Sequence, residues 1–111
     1  MVADPEFPGG EKAWKNFLAT HLHYPIDARE KNLQALVYVT FVVDKDGSVT
    51  NIKVAKPKGN GFDEAAVKAL KSSPRWIPGA TFGIPFRKQF TIPISFSLYD
   101  TDYRVNGIAP Y

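Results

Sequence analysis

The sequence predicts one α+β domain, in which a three-stranded antiparallel sheet carries two main helices on one face. Its patterns follow the order helix, strand, strand, helix, strand. Residues 36–43 are apolar on both faces, as in a central strand, whereas residues 86–98 alternate strictly between apolar and polar side chains. The doubly apolar strand is therefore placed in the centre, with residues 48–56 and 86–98 at the two edges.

The first helix is expected to follow Pro8-Gly9-Gly10 and to end near His23. Tyr24 precedes Pro25 and is therefore disfavoured in helical backbone, while a proline is well tolerated at the start of a short second helix over residues 25–31. Residues 1–6 read as a solvated lead-in before the domain. The helical spacing is carried by Ala13, Trp14, Phe17, Leu18, His21 and Leu22.

The central strand and the edge strand over residues 48–56 are predicted to form a hairpin around residues 44–47, where Gly47 supplies the left-handed backbone of the turn. The second main helix is expected to begin at an Asp63 N-cap, with Phe62 and Val67 as a hydrophobic staple. It should end at Ser73, because a proline follows. Residues 74–83 read as irregular, and residues 99–111 as a tail or an extra short strand.

The amino-acid composition excludes several classes of function. The chain has 111 residues, of which 44% are hydrophobic and 23% charged, as expected for one folded globular domain. The net charge of +3 is small and scattered, so we expect no nucleic-acid partner. The absence of cysteine excludes disulfides and thiolate chemistry. No apolar run approaches the ~20 residues of a membrane span, so any targeting segment should lie outside these residues.

Catalytic and metal-binding patterns are missing from the sequence. His21 and His23 stand two apart and would not share a helix face, so no metal site is expected. Residues 44–47 lack the later glutamate of a calcium loop. Asp63-Glu64 is better explained as a helix start than as an acid–base pair. Without a phosphate-binding loop or a nucleophile motif, we expect neither an enzyme nor a cofactor.

Several short motifs occur in a characteristic order, of which Pro74-Arg75-Trp76-Ile77-Pro78-Gly79 is the most specific. Over residues 7–98 their succession resembles the TonB C-terminal domain family. Ala35 departs from this pattern, since the family usually has a glycine before the first strand. The other matching motifs are Phe7-Pro8-Gly9-Gly10, Tyr24-Pro25 with Ala28, Asp46-Gly47, Phe62-Asp63-Glu64-Ala65-Ala66, and Ile92-Pro93-Ile94-Ser95-Phe96.

The resemblance implies a periplasmic partner-binding domain of an inner-membrane-anchored energy transducer for active nutrient uptake. Its missing N-terminal part would contact the inner-membrane motor proteins. The domain would capture the TonB box, a short segment of an outer-membrane transporter, as an added strand on its sheet edge. Two alternatives stay open: a module that binds peptidoglycan, or an appendage of a larger envelope protein. An exposed edge strand could also form a homodimer.

Pro93 indicates which side of the last strand is open. Alternate residues direct their backbone groups to opposite neighbours, and a proline interrupts the ladder on its own side. The odd-numbered side should therefore face outward, and an incoming peptide should pair with Arg87, Gln89 and Thr91. Arg87 and Lys88 would favour an acidic peptide.

The candidate partner-binding residues come from this edge and from a second region just before the Tyr-Pro pair, which the resemblance implies. Plainer interpretations stay open: edge protection by Pro93, a solvated face at residues 87–89, and an ordinary helix end at residues 21–24. The large aromatic side chains, Trp14 and Trp76 among them, are expected in the core rather than in a ligand cage. The candidates are Arg87, Lys88, Gln89, Phe90, Thr91, His21, Leu22, His23 and Tyr24.

Overall fold

A computed structural model describes residues 2–97, which form two three-stranded antiparallel sheets and three helices. The predicted tail, residues 99–111, lies outside the described residues. Within them, no helix is long and apolar enough to cross a membrane. The elements are β1 Val2–Ala3, α1 Gly10–His21, α2 Ile26–Glu30, β2 Ala35–Val43, β3 Val49–Val54, α3 Phe62–Lys71, β4 Gly79–Thr81, β5 Ile84–Phe86 and β6 Lys88–Phe96.

The larger sheet has the strand order β3-β2-β6, which confirms that the doubly apolar strand is central. β2 pairs with β6 without interruption, from Ala35 opposite Phe96 to Val43 opposite Lys88. Its pairing with β3 shifts register once, close to Asn51, whose φ of 53° is left-handed. Such a bulge strengthens the local twist of the outer strand and leaves the β2–β6 ladder regular.

The helices cover one face of this sheet, and the other face is exposed around Leu36 and Tyr38 but buried at Val42. Val37, Val39 and Phe41 of β2 are fully buried on the covered face, whereas Leu36 and Tyr38 on the other face are each 41% exposed. Each fully buried apolar side chain of this size contributes about 1.5–3 kcal/mol. The helices supply the rest of the same core through Phe17, Leu18, Ala28, Phe62, Ala66, Ala69 and Leu70.

Helix α3 begins differently from the prediction. Its N-cap is Gly61, with a left-handed φ of 84°, and Asp63 lies inside the first turn. The Asp63 carboxylate instead accepts hydrogen bonds from the backbone N–H groups of Lys58, at 2.9 Å, and Gly59, at 2.8 Å. Phe62 is buried at the start of the helix, so it does not form the predicted staple from outside it.

The second sheet, of order β1-β4-β5, was not predicted. Val2 pairs with Thr81, and Glu6 and Ile77 exchange two backbone hydrogen bonds of 3.0 and 2.9 Å. Residues 2–6 are therefore part of the structure rather than a solvated lead-in, and the segment over residues 74–83 is only partly irregular. Strands of two or three residues are too short to show an alternating pattern in the sequence.

The β4–β5 hairpin turns through Phe82 and Gly83, whose φ angles are 50° and 81°. Two consecutive positive φ angles in a two-residue loop define a type I′ turn, which favours Asn-Gly. A phenylalanine is strained in this conformation. Phe82 is also 81% exposed, so packing does little to compensate for the strain.

The β2–β3 turn holds the segment around Trp76 in place. The carbonyl of Gly47 accepts a hydrogen bond of 2.8 Å from the Trp76 backbone N–H. Gly47 has a φ of 88°, and a Cβ added there would lie 2.1 Å from the Trp76 carbonyl oxygen. In the same turn, hydrogen bonds from Ser48 lower the pKa of the Asp46 carboxyl, with a smaller contribution from Arg75.

Replacing Gly47 should destabilise the domain more than replacing a glycine of similar φ in open space. We expect Gly47→Ala to lower the free energy of unfolding by about 3 kcal/mol or more, since it adds a clash with Trp76 to backbone strain. Gly83 has a φ of 81°, and no atom of residues 2–97 lies within 4 Å of an added Cβ, so Gly83→Ala should lower it by about 1 kcal/mol. Urea unfolding measures both, and equal losses would contradict the account.

Replacing the strained Phe82 should stabilise the hairpin. We expect Phe82→Asn to raise the free energy of unfolding by roughly 0.5–1 kcal/mol, because asparagine tolerates left-handed backbone. Phe82→Ala removes the exposed ring but keeps the strain, so it should give little or no gain. Thermal unfolding followed by circular dichroism tests the pair, and a loss of stability in the asparagine variant would refute the interpretation.

The Asp46 carboxyl should titrate closer to its ordinary value in Ser48→Ala, because Ser48 provides the main stabilisation of its charged form. The pKa is lowered in the folded state, so any stability it contributes is present above the unfolded pKa. That contribution is lost as the pH falls through the folded pKa. An NMR titration of the Asp46 side-chain carbonyl measures the pKa directly. An unchanged pKa in Ser48→Ala would show that the hydrogen bond has no such role.

Candidate functional site at the open edge of the larger sheet

The backbone orientation of the central strand follows from two hydrogen bonds to the β3 side. The Tyr38 carbonyl accepts from the N–H of Ala55, and the N–H of Asp44 donates to the carbonyl of Ser48, each at 2.9 Å. Both residues are even-numbered, so the even residues of β2 direct their backbone groups toward β3. The odd residues of β2 therefore direct theirs toward β6.

The register then fixes the orientation of β6. Val39 stands opposite Ile92 and Phe41 opposite Phe90, so the even-numbered residues of β6 use their N–H and C=O groups to bind β2. The odd-numbered residues direct theirs away from the sheet, and Pro93 is among them, as its missing N–H predicted. Within residues 2–97, no strand pairs with the outer side of β6. We call this outer side the open edge: Gln89, Thr91, Pro93 and Ser95.

Only some of the predicted edge residues can pair with an added strand. Gln89 and Thr91 have outward backbone groups and exposed side chains, and Arg87, just before β6, has the same parity. Lys88 and Phe90 pair with β2 instead, so they could contact a partner only through their side chains. The Phe90 ring lies on the covered face, where its centroid is 5.8 Å from that of Phe41.

Each of the two cations near the edge has an acidic neighbour. Arg87 Nε lies 3.7 Å from Asp44 Oδ2, and Lys88 Nζ lies 2.9 Å from Asp4 Oδ1. These ion pairs are solvent-exposed, so they reduce but do not remove the attraction of Arg87 and Lys88 for an acidic peptide. Neither acid could be assigned from the sequence, because the Asp4 contact joins residues that are 84 positions apart.

The second predicted contact region is largely inside the protein. Leu22 is 1% exposed and Tyr24 is 5% exposed, and both belong to the core, so neither can contact a partner directly. The His21 ring stacks on Phe17, with centroids 4.3 Å apart, and its Nδ1 lies 3.1 Å from the Phe17 carbonyl oxygen. Only His23 is exposed. Burial of alternate residues in this short segment gave no recognisable sequence pattern.

A cleft of about 260 Å³ borders the covered face of β6 at Ile92, and sequence reasoning missed it. Trp14 and Trp76 line it: both pack against the core, as expected, but they are only half-buried. Their ring centroids are 5.7 Å apart. The cleft joins three segments that are distant in the sequence, so no local motif could have predicted it. We call it the aromatic cleft: Glu6, Phe7, Glu11, Trp14, Trp76 and Ile92.

Comparisons with known proteins agree with this architecture. Residues 20–98 match the family described as the Gram-negative bacterial TonB protein C-terminal. Protein TonB of Helicobacter pylori strain J99 is 34% identical over 76 residues, which are 68% of this chain and 26% of that protein. Protein TonB of Haemophilus influenzae is 32% identical over 94 residues, 84% of this chain and 34% of that protein.

Two NMR solution structures of the Helicobacter pylori TonB-CTD have a similar fold, with TM-scores of 0.59 and 0.58 and 28% sequence identity. Each covers 78% of this chain, and the matches span 78% and 90% of the solved chains. The chain corresponds to between a quarter and about a third of the length of the curated relatives named above. The family match and both relatives identify the chain as a member of the TonB C-terminal domain family.

Proposed function

We propose that this domain is the periplasmic partner-binding part of an inner-membrane-anchored energy transducer. It captures the TonB box of an outer-membrane transporter as a fourth strand along β6, in support of active nutrient uptake. Chain outside these residues would contact the inner-membrane motor proteins. The observation that carries the proposal is the outward ladder of Gln89 and Thr91 on an edge strand, with which no strand within residues 2–97 pairs.

The open edge is suited to weak, reversible binding of a peptide strand. Gln89, Thr91 and Ser95 each offer an outward N–H and C=O, and Pro93 adds one acceptor. A backbone hydrogen bond contributes about 0.5–1.5 kcal/mol net, and part of this is offset by ordering the peptide. A handful of such bonds gives a Kd between roughly 1 mM and 1 μM. The missing N–H of Pro93 would weaken the ladder toward the end of β6.

A second candidate function is binding of peptidoglycan, and the uncovered face of the sheet favours it. Tyr38 is 41% exposed there and stands directly opposite Pro93, with Leu36 exposed on the same face. An exposed aromatic ring on a flat surface can stack on a sugar ring. Homodimer formation through β6 would be a different use of the open edge.

Removing one outward N–H should weaken strand capture while the fold persists. We expect short peptides copied from transporter N-termini to shift the amide signals of Gln89 and Thr91 in the isotope-labelled domain. Gln89→Pro should weaken binding at least tenfold, because proline removes an outward donor without removing a β2–β6 hydrogen bond. Gln89→Ala keeps the N–H and should bind nearly as well as the original chain. NMR titration measures all three.

Two results would contradict strand capture. One is equal binding by Gln89→Pro and Gln89→Ala, because the backbone donor would then be irrelevant. The other is the absence of edge shifts with every peptide, combined with shifts around Tyr38 on addition of peptidoglycan fragments. This second result would support the wall-binding function instead.

A further inference from the structure

We propose that the aromatic cleft is a specificity pocket for a basic side chain on the captured strand, at the position opposite Ile92. The inference rests on the proposed function, because it requires a strand on β6. It adds what the backbone ladder cannot supply, a preference among peptide sequences.

The geometry of an added strand directs a side chain to this cleft. Ile92 shares its parity with Ile94, which is fully buried on the helix-covered face. Residues directly opposite each other in neighbouring strands project their side chains to the same face, with Cβ atoms about 4.5–5.5 Å apart. The partner of Ile92 in an added strand therefore projects toward the cleft that Ile92 lines.

The walls of the cleft are aromatic and well supported. The Phe7 ring lies 5.3 Å from that of Trp14 and 5.7 Å from that of Trp76, in edge-to-face contact with both. The Trp76 indole N–H donates to Ser73 Oγ at 3.0 Å. These contacts fix the rings before a ligand arrives, so little side-chain ordering remains when one binds. Tryptophan is also the aromatic side chain that best attracts a cation.

The charged residues of the cleft favour a basic side chain of the captured strand. Among residues 2–97, Glu6 and Glu11 are the charged residues that line the cleft, and no basic residue lines it. Glu11 is paired with Lys15 at 3.1 Å, whereas no ion pair forms at Glu6 within residues 2–97. A lysine or arginine would lay its apolar stem on the aromatic walls and bring its cation to the carboxylates. An acidic side chain would meet like charge, which is the reverse of the preference expected from Arg87 and Lys88.

The two tryptophans of the chain both line this cleft, so intrinsic fluorescence reports its occupancy. The test uses a tryptophan-free peptide that shifts the Gln89 and Thr91 amides, changed at one position at a time to Lys, Leu or Glu. We expect one position at which Lys binds roughly tenfold more tightly than Glu and changes the fluorescence, with Leu between them. At the neighbouring positions, whose side chains face the other side of the sheet, the three peptides should bind alike.

Matched protein variants distinguish an effect of the cleft carboxylates from an effect of the overall charge of the domain. Glu6→Gln with Glu11→Gln should remove the preference for Lys over Glu. Asp27→Asn with Glu30→Gln removes the same amount of negative charge from exposed residues of α2 and should retain the preference for Lys over Glu. Equal binding of the Lys and Glu peptides at every position, or a preference that survives in the cleft variant, overturns the inference and leaves strand capture intact. Failure of every peptide to shift the edge amides overturns both proposals.

Discussion

The antiparallel pairing of β2 with β6 determines most of what this domain presents to a partner. Its register is unbroken over nine residue pairs, and it assigns the backbone groups of every second β6 residue to β2. The remaining groups are directed away from the sheet. The same pairing places the even-numbered side chains of β6 on the helix-covered face, where Ile94 and Phe96 are buried and Ile92 reaches the aromatic cleft. A one-residue slip would reverse both arrangements, so the buried side chains protect the register.

Long, patterned segments made the larger sheet predictable. The doubly apolar residues 36–43 indicated the centre, and one proline indicated which side of β6 is open. The second sheet had no comparable pattern, since its strands have two or three residues each and lie in segments rich in proline and glycine. The N-cap of α3 is Gly61, two residues before the predicted Asp63, whose carboxylate instead accepts from the backbone N–H groups of Lys58 and Gly59.

The site was less predictable than the fold because it depends on contacts between distant segments. Exposed ion pairs with Asp4 and Asp44 reduce the attraction of Arg87 and Lys88 for an acidic partner. The burial of Leu22 and Tyr24 removes half of the region that precedes Pro25, and the two half-buried tryptophans line a surface cleft. Capture of a strand through its backbone and selection among its side chains therefore have separate origins. The first follows from which β6 residues direct their backbone groups outward, and the second from the tertiary packing around the aromatic cleft.

Amide hydrogen exchange of β6, measured with and without a transporter peptide, tests directly whether the edge is open and captures a strand. In the free domain, we expect fast exchange at Gln89 and Thr91 and slow exchange at Phe90 and Ile92, because only the latter two donate to β2. A bound peptide should slow exchange at Gln89 and Thr91. Slow exchange at these two amides in the free domain, or no change on peptide binding, would contradict an open edge that captures a strand.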